Sequence, residues 1–186
     1  MAVRSRQGLM LLELIQKLGL KNIKMAEVGV WKGHTVRVML RNGGANIKEY
    51  WGIDKWSYLG KDYPGHDYDG DKMTRLSEEQ WIKDVYLQSV CKLWFWFPQL
   101  RLIRASSVEA ARLFPEGYFD LVFIDADHSY EMVKKDIETW VPLVRKGGII
   151  SGHDHIRKCP GVYKAVNEYF KGDYTIGPKT VWYKQL

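Results

Sequence analysis

Two apolar stretches of the chain are each followed directly by side chains that can bind metals or move protons. The run 119–124 is followed by Asp125, with His128 three residues later, and the run 149–152 is followed by His153 and Asp154. Carboxylate and imidazole groups that converge at the ends of neighbouring strands form a plausible divalent-metal site. The alternative is that such polar residues cap the helices that follow, and for Asp127 both interpretations stay open.

A glycine-containing turn follows another apolar run near the start of the chain. Glu27, Gly29 and Gly33 lie in the sequence Glu-Val-Gly-Val-Trp-Lys-Gly. Two glycines allow a tight turn and bring backbone amides close to a ligand at a helix start. The spacing is GxxxG, and Trp31 occupies the position of the middle glycine of the dinucleotide motif GxGxxG, which argues against close packing on a pyrophosphate. A plain strand-to-helix turn is the alternative.

Asp54 ends a second apolar segment, 27 residues after Glu27. An acid at this place can accept two hydrogen bonds from ribose hydroxyls, as in nucleoside-binding sheets. An isolated acid at a strand end is often only a cap. Together with the glycine turn, however, Asp54 indicates a nucleoside-binding site.

The elements that must position these residues alternate between strands and helices. Strands are predicted over 23–29, 49–54, 100–104, 119–125 and 149–153, with helices between them and a closing hairpin over 173–176 and 180–183. Strands separated by crossover helices form a parallel sheet covered on both faces, so the chain is predicted to be α/β. Ligands of such sheets bind outside the carboxyl ends of the strands, where all the residues above are expected.

Composition excludes several classes of protein. The 186 residues, 21.7 kDa, fit one domain over 1–186, and the net charge of +6 favours a polyanion only weakly because no run of five like charges occurs. Cys91 and Cys159 lack a CxxC partner, so neither a zinc ribbon nor a disulfide framework is supported. Residues 1–20 contain Leu11 and Leu14 on one face of an amphipathic helix, which favours a cytoplasmic chain over a signal peptide.

Four stretches of this sequence resemble the class I S-adenosylmethionine-dependent methyltransferases: 27–33, 52–54, 119–130 and 140–154. The closer resemblance is to the small family that includes sugar and macrolide O-methyltransferases, and a more distant one is to catechol and caffeoyl-CoA O-methyltransferases. It covers about residues 20–185. The resemblance implies a Rossmann-like, doubly wound, mostly parallel seven-stranded sheet with a C-terminal antiparallel strand, in the order 3-2-1-4-5-7-6.

The resemblance also implies roles for single residues. Asp54 would bind the ribose of S-adenosylmethionine, and His128 stands where relatives place the general base, a lysine or a histidine. The remaining residues expected at the cofactor are Glu27, Gly29 and Gly33 at its methionine end, Ser106 and Ser107 beside its adenine, and Asp125 and Asp127.

A divalent metal is implied at Asp125, His153 and Asp154, with one departure from the family pattern. His153 replaces a carboxylate, and an imidazole suits Mn, Fe, Co, Ni or Zn better than Mg. Three interpretations stay open: the metal is softer than Mg, His153 is not a ligand, or Asp154 and His155 form the ligand pair instead.

The acceptor is expected to lie under segment 55–76, which follows Asp54 and is rich in aromatic and acidic residues. Trp56, Tyr58, Tyr63 and Tyr68 suit a sugar or another polyhydroxylated ring, whereas a loop whose tyrosines pack on the sheet is the alternative.

The function predicted is O-methylation of a small hydroxylated molecule, without a membrane or nucleic-acid partner; a homo-oligomer stays open. An RNA ribose methyltransferase and a non-enzymatic nucleoside-binding subunit are the alternatives. Base N-methylation is disfavoured because Asp-Ala-Asp-His at 125–128 replaces the usual Asn/Asp-Pro-Pro-Tyr/Phe motif.

Overall fold

The computed structural model describes residues 6–57 and 77–186, and their strands form one seven-stranded mixed sheet with helices on both faces. The strands are β1 (Ile23–Val28), β2 (Ile47–Asp54), β3 (Leu100–Arg104), β4 (Phe119–Ile124), β5 (Val144–Gly152), β6 (Thr175–Ile176) and β7 (Trp182–Gln185). The helices are α1 (Arg6–Lys17), α2 (His34–Gly43), α3 (Glu78–Trp81), α4 (Gln88–Leu93), α5 (Ser107–Ala111), α6 (Tyr130–Trp140) and α7 (Pro160–Phe170).

The strand order is β3-β2-β1-β4-β5-β7-β6, which confirms the predicted fold class and topology. Strands β1 to β5 are parallel, and β7 inserts antiparallel between β5 and β6. The chain leaves β1 towards β2 and β3 on one side and returns to β4 and β5 on the other. The carboxyl ends of β1 and β4 therefore flank the crevice where such sheets bind ligands.

The core lies on both faces of the sheet because successive strand residues point to opposite sides. Met25 and Phe123 pack on the face covered by α1 and α2. Ala26 and Val122 pack on the other face, against Ile137 of α6 and neighbouring helical residues. Near-continuous apolar strands with both faces buried are the pattern expected for a parallel sheet.

The helical region before β3 is irregular. It begins at Ser77, which forms a capping box with Gln80. Residues Ile82–Leu87 between α3 and α4 are wound as a π-helix. Strand β5 begins at Val144, five residues before the predicted start, because a register shift against β4 lets the strand continue through the two glycines at 147 and 148.

In the parts of the chain that the structure describes, no helix combines the length and apolar character needed to cross a membrane.

Candidate functional site

The structure brings Asp125, His153 and Asp154 together at the carboxyl ends of β4 and β5. His153 Nδ1 lies 3.1 Å from Asp154 Oδ1 and 3.6 Å from Asp125 Oδ1. The two loops are joined to the strands by backbone hydrogen bonds, since the Asp125 N–H donates to Val28 O and the His153 N–H donates to Ile124 O. The cluster expected from the sequence thus exists as a set of neighbouring side chains.

The backbone at Asp154 decides which histidine joins this cluster. Asp154 has φ +55°, a left-handed conformation that is uncommon for a residue other than glycine, and it is 4% exposed. The next residue turns away: His155 Nε2 lies 2.9 Å from the Tyr174 hydroxyl, and its ring packs against Tyr163 and Tyr174. In the described residues, Asp154 is therefore grouped with His153 rather than with His155.

His128 faces the same carboxylates from the loop after β4. Its Nε2 lies 3.3 Å from Asp154 Oδ2 and 3.8 Å from Asp125 Oδ1. This nitrogen is buried and has no hydrogen-bond partner among the described residues. The interaction with Asp125, followed by the charge of Asp154, raises the pKa of His128, and burial opposes that rise.

The two acids and two imidazoles balance each other electrostatically. Burial alone would raise the pKa of Asp125, but the interactions with His128 and His153 outweigh it and lower that pKa. Burial likewise opposes charge on His153, yet Asp125 and Asp154 together raise its pKa to about 10. The cluster is therefore a compact network of opposite charges beside a small pocket, and Asp125, His128 and His153 are among the residues that line this pocket.

This donor set fits a divalent metal by its chemistry. One ligand atom each from Asp125, His153 and Asp154 lie within 4.8 Å of one another. A second group of donors shares Asp154 and consists of His128, Asp154 and the thiol of Cys159. Mixed nitrogen and oxygen donors suit first-row transition metals.

Glu27 stands at the end of β1, on the side of the crevice where the cofactor is expected. It is 2% exposed and accepts a hydrogen bond from the Tyr50 hydroxyl. Burial raises its pKa well above the usual value, the hydrogen bond opposes that rise, and the carboxylates of Asp125 and Asp54 add to it. The acids at the ends of β1, β2 and β4 thus repel one another, and a cationic ligand in the acidic cleft expected between these strand ends would relieve the repulsion.

Asp54 organises the two loops that flank this cleft. One carboxylate oxygen accepts the Trp31 N–H and the other accepts the Trp56 N–H, each at 2.7 Å. Burial raises the pKa of Asp54 and these backbone hydrogen bonds oppose the rise. Because a carboxylate oxygen can accept more than one hydrogen bond, Asp54 keeps acceptor capacity for hydroxyl groups.

Trp56 occupies a different environment from the one expected for a substrate-binding ring. It is 2% exposed, packs against Tyr86 and donates its indole N–H to Trp31 O. It therefore belongs to the core, because the hydrogen bond to Asp54 turns the chain inward directly after β2. The other three aromatic residues of the candidate lid, Tyr58, Tyr63 and Tyr68, lie outside the described residues.

The glycines of the turn are required by contacts within the protein. Gly29 has φ +98°, and a Cβ added there would lie 2.1 Å from the backbone oxygen of Asp125. Gly33 has φ +70°, and a Cβ there would lie 2.6 Å from Leu93. Gly29 thus permits the close approach of the β1 and β4 ends, and Gly33 lets α2 begin at His34 against α4.

Three polar residues expected beside the cofactor have hydrogen-bond partners in the neighbouring helices. Ser106 forms a capping box with Glu109 at the start of α5, and the Ser107 hydroxyl accepts the indole N–H of Trp140 at 2.7 Å. Asp127 accepts the Ser129 N–H at 2.7 Å, as a capping side chain does. These contacts place the three residues at the carboxyl edge and give each side chain a structural partner.

Three residues near the site were not singled out from the sequence. Tyr50 hydrogen-bonds to Glu27, and Cys159 lies beside His128 and Asp154. Asp136 is 1% exposed on α6, and its Oδ1 has no partner among the described residues. Asp136 could have been noticed, because it lies at helical spacing with Val133 and Trp140 on the buried face; the contacts of Tyr50 and Cys159 depend on the fold.

Comparison with known proteins supports these observations. A family model described as a methyltransferase domain matches residues 26–155, more than two thirds of the chain. None of the curated proteins compared is similar enough in sequence to count as a match.

Several solved structures share the fold at low sequence identity. A putative caffeoyl-CoA O-methyltransferase from Staphylococcus aureus has a TM-score of 0.61 at 16% identity, covering 98% of this chain and 83% of that one. The O-methyltransferase NovP has a TM-score of 0.63 at 18% identity, covering 97% and 78%. CalS11, described as a TDP-rhamnose 3'-O-methyltransferase, has a TM-score of 0.60 at 16% identity, covering 98% and 81%.

The sheet order, the acids at the ends of β1, β2 and β4, and the family match over these same strands agree with one another. The chain belongs to the class I S-adenosylmethionine-dependent methyltransferases.

Proposed function

We propose that this methyltransferase transfers a methyl group to a hydroxyl of a small polyhydroxylated acceptor such as a sugar, with a divalent metal at Asp125, His153 and Asp154 and with His128 as the general base. The observation that carries the proposal is that His128 and His153 each lie 3.1–3.8 Å from carboxylate oxygens of both Asp125 and Asp154. An acceptor hydroxyl needs both alignment and removal of its proton, and this cluster offers groups for both tasks.

The cofactor is expected in the acidic cleft formed by Glu27, Asp54 and Asp125. S-adenosylmethionine carries a sulfonium and an ammonium group, and a nearby positive charge would stabilise the ionised carboxylates of this cleft. Gly29 and Gly33 would border its methionine end, Asp54 would accept its ribose hydroxyls, and the adenine would lie near Ser106, Ser107 and Asp127. When bound, the cofactor would supply the methyl group from its sulfonium and leave as S-adenosylhomocysteine.

The residues of the metal cluster would have two different roles towards the acceptor hydroxyl. A divalent ion held by Asp125, His153 and Asp154 would polarise the acceptor hydroxyl and lower its pKa. His128 would take the proton, because its Nε2 is adjacent to the carboxylates and has no other hydrogen-bond partner among the described residues.

A sugar acceptor is favoured by two lines of support. The structural neighbour CalS11 is described as a TDP-rhamnose 3'-O-methyltransferase, and its chain is covered to 81% by this one. Segment 55–76 has the tyrosines and acids that suit a polyhydroxylated ring, with Tyr58, Tyr63 and Tyr68 as the residues proposed to contact it.

The test is calorimetry followed by an acceptor screen. Protein freed of metal by a chelator is titrated with S-adenosylmethionine, with and without added Mg²⁺ or Mn²⁺, and formation of S-adenosylhomocysteine is then measured with nucleotide sugars and catechols. We expect binding of the cofactor in every case and turnover with a hydroxylated acceptor when metal is present. Absence of cofactor binding would overturn the central assignment, and turnover unaffected by chelator would overturn the metal's role.

A further inference from the structure

We infer that Asp125, His153 and Asp154 select a first-row transition metal such as Zn²⁺ or Co²⁺ over Mg²⁺. The inference deepens the proposed function, since it names the metal of the same site, and it rests on that proposal only for the metal's role in the reaction. The selectivity itself concerns the donor atoms of this chain and can be measured without turnover.

Two of the three separations between the donor atoms match those of ligands around one small ion, and the third is within 4.8 Å. Two ligands about 2.1 Å from a tetrahedral ion lie roughly 3.4 Å apart. His153 Nδ1 lies 3.1 Å from Asp154 Oδ1 and 3.6 Å from Asp125 Oδ1. The three donors can therefore face a common ion with only small movements.

The orientation of His153 is held in the way that metal-binding imidazoles usually are. Its Nδ1 faces the two carboxylates, while its Nε2 lies 3.3 Å from the Thr180 hydroxyl. A partner on the second ring nitrogen fixes the ring and its tautomer for a ligand on the first. His153 is therefore oriented with Nδ1 towards Asp125 and Asp154, and an ion bound between them would replace the proton on this nitrogen.

The backbone of the following residue supports the same arrangement. Asp154 holds a left-handed conformation that costs energy for a residue with a side chain, and this conformation keeps its carboxylate buried against His153 and His128. In the described residues, the neighbouring His155 instead packs between Tyr163 and Tyr174.

This set of donors is poorly matched to Mg²⁺. Mg²⁺ requires near-octahedral oxygen ligands and retains several waters, whereas imidazole suits Zn, Co, Ni and Fe. The second group of donors that includes Asp154 adds a nitrogen and a sulfur, from His128 and the Cys159 thiol. A site that has an imidazole nitrogen among its ligands, with a second imidazole and a thiol nearby, favours a transition metal.

The experiment measures metal affinity directly. Metal-free protein is titrated with Zn²⁺, Co²⁺ and Mg²⁺ by calorimetry, and the visible absorption spectrum of the Co²⁺ form is recorded. We expect Zn²⁺ and Co²⁺ to bind at least about 10²-fold more tightly than Mg²⁺, and His153→Asp to weaken Zn²⁺ by about 10²-fold while improving Mg²⁺. His155→Gln is the matched control and leaves all three affinities unchanged.

Two further variants keep the test decisive. His153→Asn removes the imidazole without adding charge, and it is expected to weaken Zn²⁺ as His153→Asp does; circular dichroism and thermal unfolding verify that both variants are folded. Because Cys159 is not one of the proposed ligands, the Co²⁺ form is expected to show no sulfur-to-metal charge-transfer band. Cys159→Ser is therefore expected to leave its spectrum unchanged.

Three results would overturn the inference: equal affinity for Mg²⁺ and Zn²⁺, unchanged Zn²⁺ affinity in folded His153 variants, or loss of Co²⁺ binding in Cys159→Ser, which would place the ion in the second group of donors. Titration of the same samples with S-adenosylmethionine separates the two proposals, because the cofactor can bind normally when the metal selectivity fails.

Discussion

His128 is the residue on which the proposed proton transfer depends. Its imidazole contacts the carboxylates of Asp125 and Asp154, and the chain supplies a second imidazole, His155, that packs against tyrosines nearby. Comparing variants of His128 and His155 therefore distinguishes a role in proton transfer from the general effect of removing a histidine close to β5.

We expect His128→Ala to lower kcat by about 10²- to 10⁴-fold, the range that general-base catalysis contributes. The Kd for S-adenosylmethionine should change less than about twofold, because the acids at the ends of β1 and β2 remain. The measurement is steady-state kinetics with calorimetry, and His155→Ala is the control. A normal kcat in His128→Ala would remove His128 from the mechanism.

Asp136 is a buried acid in α6 whose protonation affects stability. Burial raises its pKa to about 6, and the hydrogen bond with Ser107 only partly opposes this. The folded state thus holds the proton more tightly than the unfolded state, in which the pKa is about 3.9. For this group, stability is greatest below about pH 4 and falls as the pH rises to about 6.

We expect Asp136→Asn to raise the free energy of unfolding by about 1–3 kcal/mol at pH 8, because a neutral amide avoids the buried charge. The gain should shrink to near zero towards pH 4. Urea denaturation across this pH range measures it, with the exposed Asp84→Asn as the control. A gain that does not depend on pH would contradict the charge explanation.

At the scale of the elements, the ends of β1 and β4 meet at Gly29. An alanine there would combine a positive φ with a Cβ 2.1 Å from a backbone oxygen. Gly172, after α7, also has a positive φ, +82°, but nothing lies within 4 Å of its added Cβ. Comparing alanine variants at the two glycines therefore distinguishes the cost of a positive φ from the cost of a steric clash between the strand ends.

We expect Gly172→Ala to cost about 1 kcal/mol of stability from the left-handed backbone alone. Gly29→Ala should cost on the order of 4 kcal/mol or more, because the strand ends must also move apart. Chemical denaturation of the two variants measures the difference. Equal costs would show that the contact with Asp125 relaxes freely.

The sequence was sufficient to predict which elements form and which residues reach the carboxyl edge of the sheet. Apolar runs separated by helical patterns define parallel strands, and the residues after parallel strands meet at one edge. Side-chain direction was not predictable in this way. The choice between His153 and His155 depends on the positive φ of Asp154, and the burial of Trp56 depends on a hydrogen bond to Asp54.

At the scale of the whole molecule, ligand binding and stability are linked. A ligand that binds only the folded state stabilises it by about 2.7 kcal/mol at a concentration of 100 times its Kd. For a chain of this length that corresponds to a rise in Tm of about 5–10 °C. We expect S-adenosylmethionine to produce such a rise in a thermal-unfolding assay and ATP to produce none. No rise with S-adenosylmethionine would contradict the assigned cofactor site.

The net charge of +6 is the feature that keeps an RNA substrate open as an alternative. Several basic side chains are already paired with acids, as in Lys184 with Asp173 and Arg145 with Asp120. We expect RNA to be retarded weakly in gel-shift assays at about 50 mM salt and not at about 200 mM, as for non-specific binding. Retention at the higher salt would favour ribose methylation instead of a small acceptor.

The contact between Gly29 and Asp125 also limits how this enzyme can change during evolution. The turn proposed for the methyl donor and the first residue proposed for the metal share one backbone contact, which leaves space only for a hydrogen atom. A displacement of either strand end would displace the other, so the proposed donor and acceptor sites would keep a nearly constant separation. New acceptor specificities are therefore expected to arise by substitution in the 55–76 segment, while the strand ends remain unchanged.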